Sequence, residues 1–179
     1  MEEAQNMNWR TAEGEIFGRG QRGFLVNLAR IVSDTFPIPT IVNIGVRRGA
    51  SLHCIRAGAP NAILVGVDIR PSNPRGKSAL NAVFIHGDSN VVHDEVAPPV
   101  HLVFIDGGHG YRTVKGDIAG WIPKIPVGGI VAFHDMRMGG VVTAFSKWWA
   151  TSKANWKEVP GSPCPGFRAF MKIGEMEGT

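Results

Sequence analysis

Five apolar runs cross this chain without the polar alternation of a half-solvated sheet: residues 40–44, 62–67, 82–85, 100–105 and 129–133. Strands buried on both faces read this way, because helices packed over each face of a parallel sheet leave no solvated side. Segments of helical character lie between the runs, and strand–helix–strand units of this kind cross over right-handed into an open parallel sheet covered by helices. In such a sheet ligands bind in the crevice outside the carboxyl ends of the strands. Those ends here carry Gly45, Asp68, His86-Gly87-Asp88, Asp106 and His134-Asp135.

The flanking segments fit the same plan. Between residues 18 and 34, Phe24, Leu25, Leu28, Ala29, Ile31 and Val32 recur at helical spacing, and Pro37 and Pro39 close a covering helix. A helix-compatible stretch, 51–57, follows the first strand. Residues 140–151 place Val141, Ala144, Phe145 and Trp148 on one helical face, with Trp149 off that stripe and free for a subunit contact. Residues 156–158 and 167–173, separated by a stretch rich in proline and glycine, predict a hairpin that finishes the sheet. A chain of 179 residues, 44% of them hydrophobic, supports one core. We therefore expect a single domain over 9–173, with polar loose ends at 1–8 and 174–179.

Composition narrows the function. No apolar run reaches the roughly 18–20 residues of a membrane span, and the N-terminus lacks the pattern of a signal peptide, so a cytoplasmic chain is expected. Cys54 and Cys164 have neither metal-ligand nor redox spacing. The net charge of +4 is dispersed, with a local concentration at Arg47-Arg48, Arg70, Arg75 and Lys77. No basic stripe is interleaved with aromatics, so nucleic acid is not the expected partner, whereas an acidic small molecule or nucleotide-like cofactor would be served.

The turn after the first strand runs from Gly45 to Ser51. Gly45 lets the backbone turn sharply and a ligand approach it, while Gly49 and Ser51 stand where the next helix begins and its N–H groups are free. The spacing matches neither the dinucleotide fingerprint nor the phosphate loop. Asp68, about twenty residues further on, can accept the hydroxyls of a ribose or be a solvated strand-end carboxylate. Asp88, with Ser89 beside it, can accept from the amino group of an adenine or cap the following helix.

The segment from Val103 reads Val-Phe-Ile-Asp106-Gly107-Gly108-His109-Gly110-Tyr111; Asp117 and Trp121 follow, and then Gly128-Gly129-Ile130-Val131-Ala132-Phe133-His134-Asp135. In these motifs the chain resembles the class I S-adenosylmethionine-dependent methyltransferases, in the small branch marked by Ile-Asp-Gly-x-His-x-Tyr and Gly-Gly-x-x-x-x-His-Asp. The resemblance extends over about 41–145. It implies an α/β, Rossmann-like three-layer sandwich whose seven-stranded, mostly parallel sheet has an antiparallel last strand. It also implies S-adenosylmethionine as cofactor, with its methionine part against Asn43, Gly45, Gly49 and Ser51. The ribose would rest on Asp68 with Ile69 beside it, the adenine near Asp88 and Ser89, and Asp106 and Gly107 would complete the contacts.

By the same resemblance Asp106 and Asp135 would hold a divalent metal, Mg²⁺ or Mn²⁺, while Asp106 and His109 serve catalysis, His109 as the base; His134 can complete the ligand set only where the metal tolerates nitrogen. Carboxylates suit such hard cations, and a nitrogen ligand favours Mn²⁺. The implied reaction is methyl transfer to a hydroxyl of a small molecule or sugar, in a homo-oligomer that completes the pocket. Other readings remain open at this point. Asp106 can hold the cofactor's ammonium group or cap the turn, His109 can be structural, and His134 and Asp135 can brace the loop. The same fold can cleave the cofactor, or serve a non-catalytic nucleoside-binding or assembly protein. Asn43 favours the last, since the family carries Glu or Asp there and an amide offers no charge to an ammonium group. Gly107, Gly108 and Gly110 also predict a permissive segment around His109 that orders on binding ligand.

Overall fold

The computed structural model describes residues 19–70 and 80–175. In chain order these form α1 (Arg19–Thr35), β1 (Thr40–Ile44), α2 (Ala50–Gly58), β2 (Ile63–Asp68), β3 (Ala82–His86), β4 (Leu102–Ile105), α3 (Tyr111–Trp121), β5 (Ile130–Phe133), α4 (Gly139–Ser152), β6 (Trp156–Glu158) and β7 (Arg168–Lys172). The strands make one seven-stranded sheet in the order β3-β2-β1-β4-β5-β7-β6. The pairs among β1 to β5 are parallel, and β7 runs antiparallel to both β5 and β6.

Alternate residues of a strand face opposite sides of its sheet, so each apolar run feeds two cores. On one side Ile41, Leu64, Leu102, Phe104 and Ile130 meet Leu25 and Leu28 of α1 and Leu52 and Ile55 of α2. On the other, Val42, Val65, Val67, Val103, Val131 and Phe133 meet Val114, Ile118 and Trp121 of α3 and Val141, Ala144 and Phe145 of α4. This is the three-layer sandwich expected from the unbroken apolar runs. The central β4 and β5 are buried at every position, whereas β3, at the sheet edge, leaves Val83 57% exposed. The edge position explains why an equally apolar run is only half covered.

Two features depart from the sequence reading. The β3–β4 connection carries no α-helix, only one 3₁₀ turn at Val92–Glu95; Pro98 and Pro99 follow, lacking the N–H groups a longer helix would need. Asp88 consequently caps no helix: its Oδ1 accepts from the N–H of Asn90 at 3.0 Å, an Asx turn. Trp149, half-buried, stacks on Phe145 and lies 4.8 Å from the Phe170 ring, so the apolar face of α4 is broader than its spacing suggested.

The C-terminal hairpin is fastened by the Arg168 guanidinium, which donates to both carboxylate oxygens of Glu158 at 2.7 Å. At the opposite edge the Arg56 guanidinium donates to the carbonyl oxygens of Ala59, Pro60, Ala62, Leu80 and Asn81, tying the end of α2 to the starts of β2 and β3. Among the described residues no helix is long and apolar enough to cross a membrane. The expected N-terminal loose end, and the basic residues Arg75 and Lys77, lie outside the described residues.

Candidate active site

The loops after β1, β2 and β4 converge. Gly45, at φ 86°, is pressed so closely against the Asp106 carbonyl that a Cβ there would collide with it, which only glycine in a left-handed conformation permits. From β2, Asp68 reaches across to the same turn: its Oδ2 accepts from the N–H groups of Val46 at 3.0 Å and Arg47 at 2.8 Å, and its Oδ1 from that of Arg70 at 2.9 Å. Those bonds hold Arg47 at φ 45°, a conformation that costs a non-glycine residue roughly 1 kcal/mol or more.

Between these loops lies a cavity of about 400 Å³, within the roughly 300–1,000 Å³ range of small-molecule sites. Of the residues predicted to bind a cofactor, Gly45, Asp68, Ile69, Asp88, Ser89, Asp106 and Gly107 line it. Asn43, Gly49 and Ser51 do not. Asn43 is fully buried on the α1–α2 side of β1, the side Ile41 faces; its Nδ2 donates to the Gly45 carbonyl at 3.1 Å, and its Oδ1 has no partner among the described residues. Gly49, at φ 84°, leads into α2, and Ser51 is buried in its first turn. These three shape the turn from behind.

Two lining residues behave differently from expectation. A carboxylate offers about four acceptor positions, and Asp68 spends three on its own backbone, leaving one on Oδ1 for a ribose hydroxyl. The Ser89 hydroxyl is turned away from the cavity and donates to Oδ1 of Asp117 at 2.6 Å. The sequence reading also missed Arg47, Arg70 and Thr113 as lining residues. The arginines were visible only as a loose basic concentration, whereas the position of Thr113 in the first turn of α3, beside the Gly107-Gly108 loop, was available from the motif.

Asp106 joins the cavity to a second cluster. Nδ1 of the buried His134 lies 3.0 Å from Asp106 Oδ1 and 3.2 Å from Asp135 Oδ2, and His109 Nε2 lies 2.8 Å from that same Asp135 oxygen. Gly140, in the first turn of α4, sits so tightly on the backbone of residues 109–111 that a Cβ would collide with the His109 carbonyl. Burial pushes the Asp106 carboxyl above the usual range, with the hydrogen bond and charge of His134 opposing. For His134 burial works against the charged ring, but the hydrogen bonds and charges of Asp106 and Asp135 outweigh it and lift its pKa to about 9.

Asp106, His134 and Asp135 each offer one ligand atom, and these atoms lie within 4.8 Å of one another. The 3.0 and 3.2 Å separations match the spacing of neighbouring ligands about 2.1 Å from one octahedral ion, and a cation there would take the place of the proton that Nδ1 shares with the two carboxylates. Two carboxylates and an imidazole form a donor set that Mn²⁺ accepts more readily than Mg²⁺.

A methyltransferase domain model matches residues 42–136, more than half of the chain, from within β1 to just beyond β5. The chain belongs to the methyltransferase domain family. That match contains both the crevice and the Asp106–His134–Asp135 cluster. Among curated proteins, an uncharacterized protein, y4gI, of Sinorhizobium fredii is 37% identical over 51 residues, which are 28% of this chain and 6% of that protein. The chain thus spans a small fraction of that relative. Among solved structures, CalS11, a TDP-rhamnose 3'-O-methyltransferase of calicheamicin biosynthesis, superposes with a TM-score of 0.63 at 22% identity, covering 89% of this chain and 82% of its own. MycE, a methyltransferase of mycinamycin biosynthesis solved with Mg and SAH, superposes with a TM-score of 0.60 at 19% identity, covering 75% of this chain and 45% of its own. The fold is the class I methyltransferase fold.

Proposed function

We propose that the chain is an S-adenosylmethionine-dependent O-methyltransferase acting on a hydroxyl of a small molecule or sugar, with a divalent metal held by Asp106, His134 and Asp135. One observation carries this reading: Asp106 both lines the nucleoside-sized crevice and touches the imidazole and carboxylate cluster, so cofactor and acceptor would meet at one strand end. The sugar O-methyltransferase fold of CalS11 and the Mg and SAH in MycE support it.

In this reading Asp68 Oδ1 accepts a ribose hydroxyl, Asp88 faces the base, and Gly45 lets the methionine part lie against bare backbone. When bound, S-adenosylmethionine supplies an electrophilic methyl group and the metal a Lewis acid that lowers the acceptor hydroxyl's pKa. Asp135 holds His109 through Nε2, which leaves Nδ1 to take the hydroxyl proton. The chain's larger contribution is alignment, since fixing two reactants in an in-line geometry removes much of the entropic barrier. Isothermal calorimetry with S-adenosylmethionine and S-adenosylhomocysteine, with and without Mn²⁺, tests the reading. Saturable binding of both is expected, and absence of heat from either ligand would overturn it.

A further inference from the structure

A buried polar knot lies behind the Asp88–Ser89 wall of the crevice, and the mechanism above does not use it. Asp117, in the middle of α3, is fully buried. Its Oδ1 accepts from Ser89 Oγ at 2.6 Å and Asn90 Nδ2 at 2.7 Å, and its Oδ2 has no partner among the described residues. One helical turn before it, the Thr113 carbonyl accepts a second bond from Asn90 Nδ2 at 3.1 Å; one turn after it, Trp121 Nε1 donates to the Ser89 carbonyl at 2.9 Å. Residues 113, 117 and 121 share one face of α3 at a spacing of four, so that face grips the loop after β3 at three levels. Gly116 lets the loop come this close, since a Cβ there would collide with Asn90 Oδ1.

Burying a carboxylate with one oxygen unpartnered is unfavourable, and an apolar residue would pack α3 on the sheet without that cost. What the carboxylate adds is a fixed loop. Within the loop, Asp88 turns its Oδ1 onto the Asn90 N–H and lines the crevice. An acceptor-only group in that place suits a donor on the ligand.

We infer that Asp117 is a positioning residue for base recognition. By holding Ser89 and Asn90 it sets the Asp88 carboxylate where it accepts the exocyclic amino group of a 6-aminopurine and rejects a 6-oxopurine. The inference rests on the nucleoside reading of the crevice and deepens it.

The test is calorimetric affinity for S-adenosylhomocysteine and for its 6-oxo analogue, S-inosylhomocysteine, measured on the full chain and on Asp117→Leu, Asp117→Asn, Ser89→Ala and Asn90→Ala. The wild type is expected to prefer the amino form by about tenfold or more, the scale of one lost hydrogen bond that leaves a polar group unpaired. Asp117→Leu should collapse that ratio, Asp117→Asn, which keeps an acceptor at Oδ1, should largely restore it, and the two alanine variants should lower it part-way. If Asp117→Leu does not fold, the alanine variants decide. A merely structural role would weaken both ligands alike and leave the ratio intact, and that result overturns the inference. Failure of the wild type to bind either ligand would instead overturn the nucleoside reading itself.

Discussion

His109 Nε2 and Asp135 Oδ2 lie 2.8 Å apart across the ends of β4 and β5, so the ring of the candidate base is oriented by a carboxylate from the neighbouring strand. With Nε2 engaged, the proposed base role would fall to Nδ1. His109→Ala is expected to lower the methyl-transfer rate about 10²–10⁴-fold while leaving S-adenosylhomocysteine affinity within a few-fold. Turnover and calorimetry on the same preparation check both halves.

The donor set of Asp106, His134 and Asp135 predicts metal selectivity. Mn²⁺ should bind more tightly than Mg²⁺, and His134→Ala should narrow the difference by removing the nitrogen ligand. Titration followed by calorimetry or Mn²⁺ electron paramagnetic resonance measures it, and chelation should suppress turnover in the wild type.

Asp117 gives the fold a pH dependence of known sign. Burial lifts its carboxyl from 3.8 to about 6, against the hydrogen bonds of Ser89 and Asn90. Between those values the folded chain keeps a proton the unfolded chain has released, so stability falls as pH rises from about 4 to 6, by up to about 3 kcal/mol. Thermal midpoints across that range should flatten in Asp117→Asn.

His134 acts in a separate window. Its pKa rises from 6.5 to about 9 because Asp106 and Asp135 outweigh the cost of burial. Its contribution is fully present below about pH 6.5 and is lost as pH climbs through 9, again up to about 3 kcal/mol. In metal-free protein the thermal midpoint should decline over that interval, and His134→Gln should abolish the decline.

Arg56 joins three elements through five carbonyl acceptors. Arg56→Ala should destabilise the fold by about 2–4 kcal/mol in denaturant titration, since charged hydrogen bonds are lost and partly buried carbonyls stranded. Arg56→Lys should recover little, because an ammonium cannot reproduce the planar fork.

The architecture was legible where burial on both faces writes itself into sequence, as in β1, β4 and β5, and where strand order puts Asp68 and Asp106 at the same sheet edge. It was illegible where partners come from far along the chain. Ser89 looked like a base-facing hydroxyl because nothing local reveals Asp117, which lies 28 positions away and on another element. Asn43 could have been placed by strand parity alone, since it shares the face of Ile41 and not that of Val42. The missing helix after Asp88 is signalled by Pro98 and Pro99, against the repeat of strand and helix around them.

Asp106 stands in two compartments at once, bordering the crevice on one side and His134 on the other. A single carboxylate shared in this way makes occupancy of the two compartments thermodynamically linked. Whatever a cation in the cluster does to nucleoside affinity, the nucleoside must do in equal measure to cation affinity. In the proposed reading the two ligands would be a heterotropic pair, and the sign of their coupling would show whether they support or compete for that shared charge.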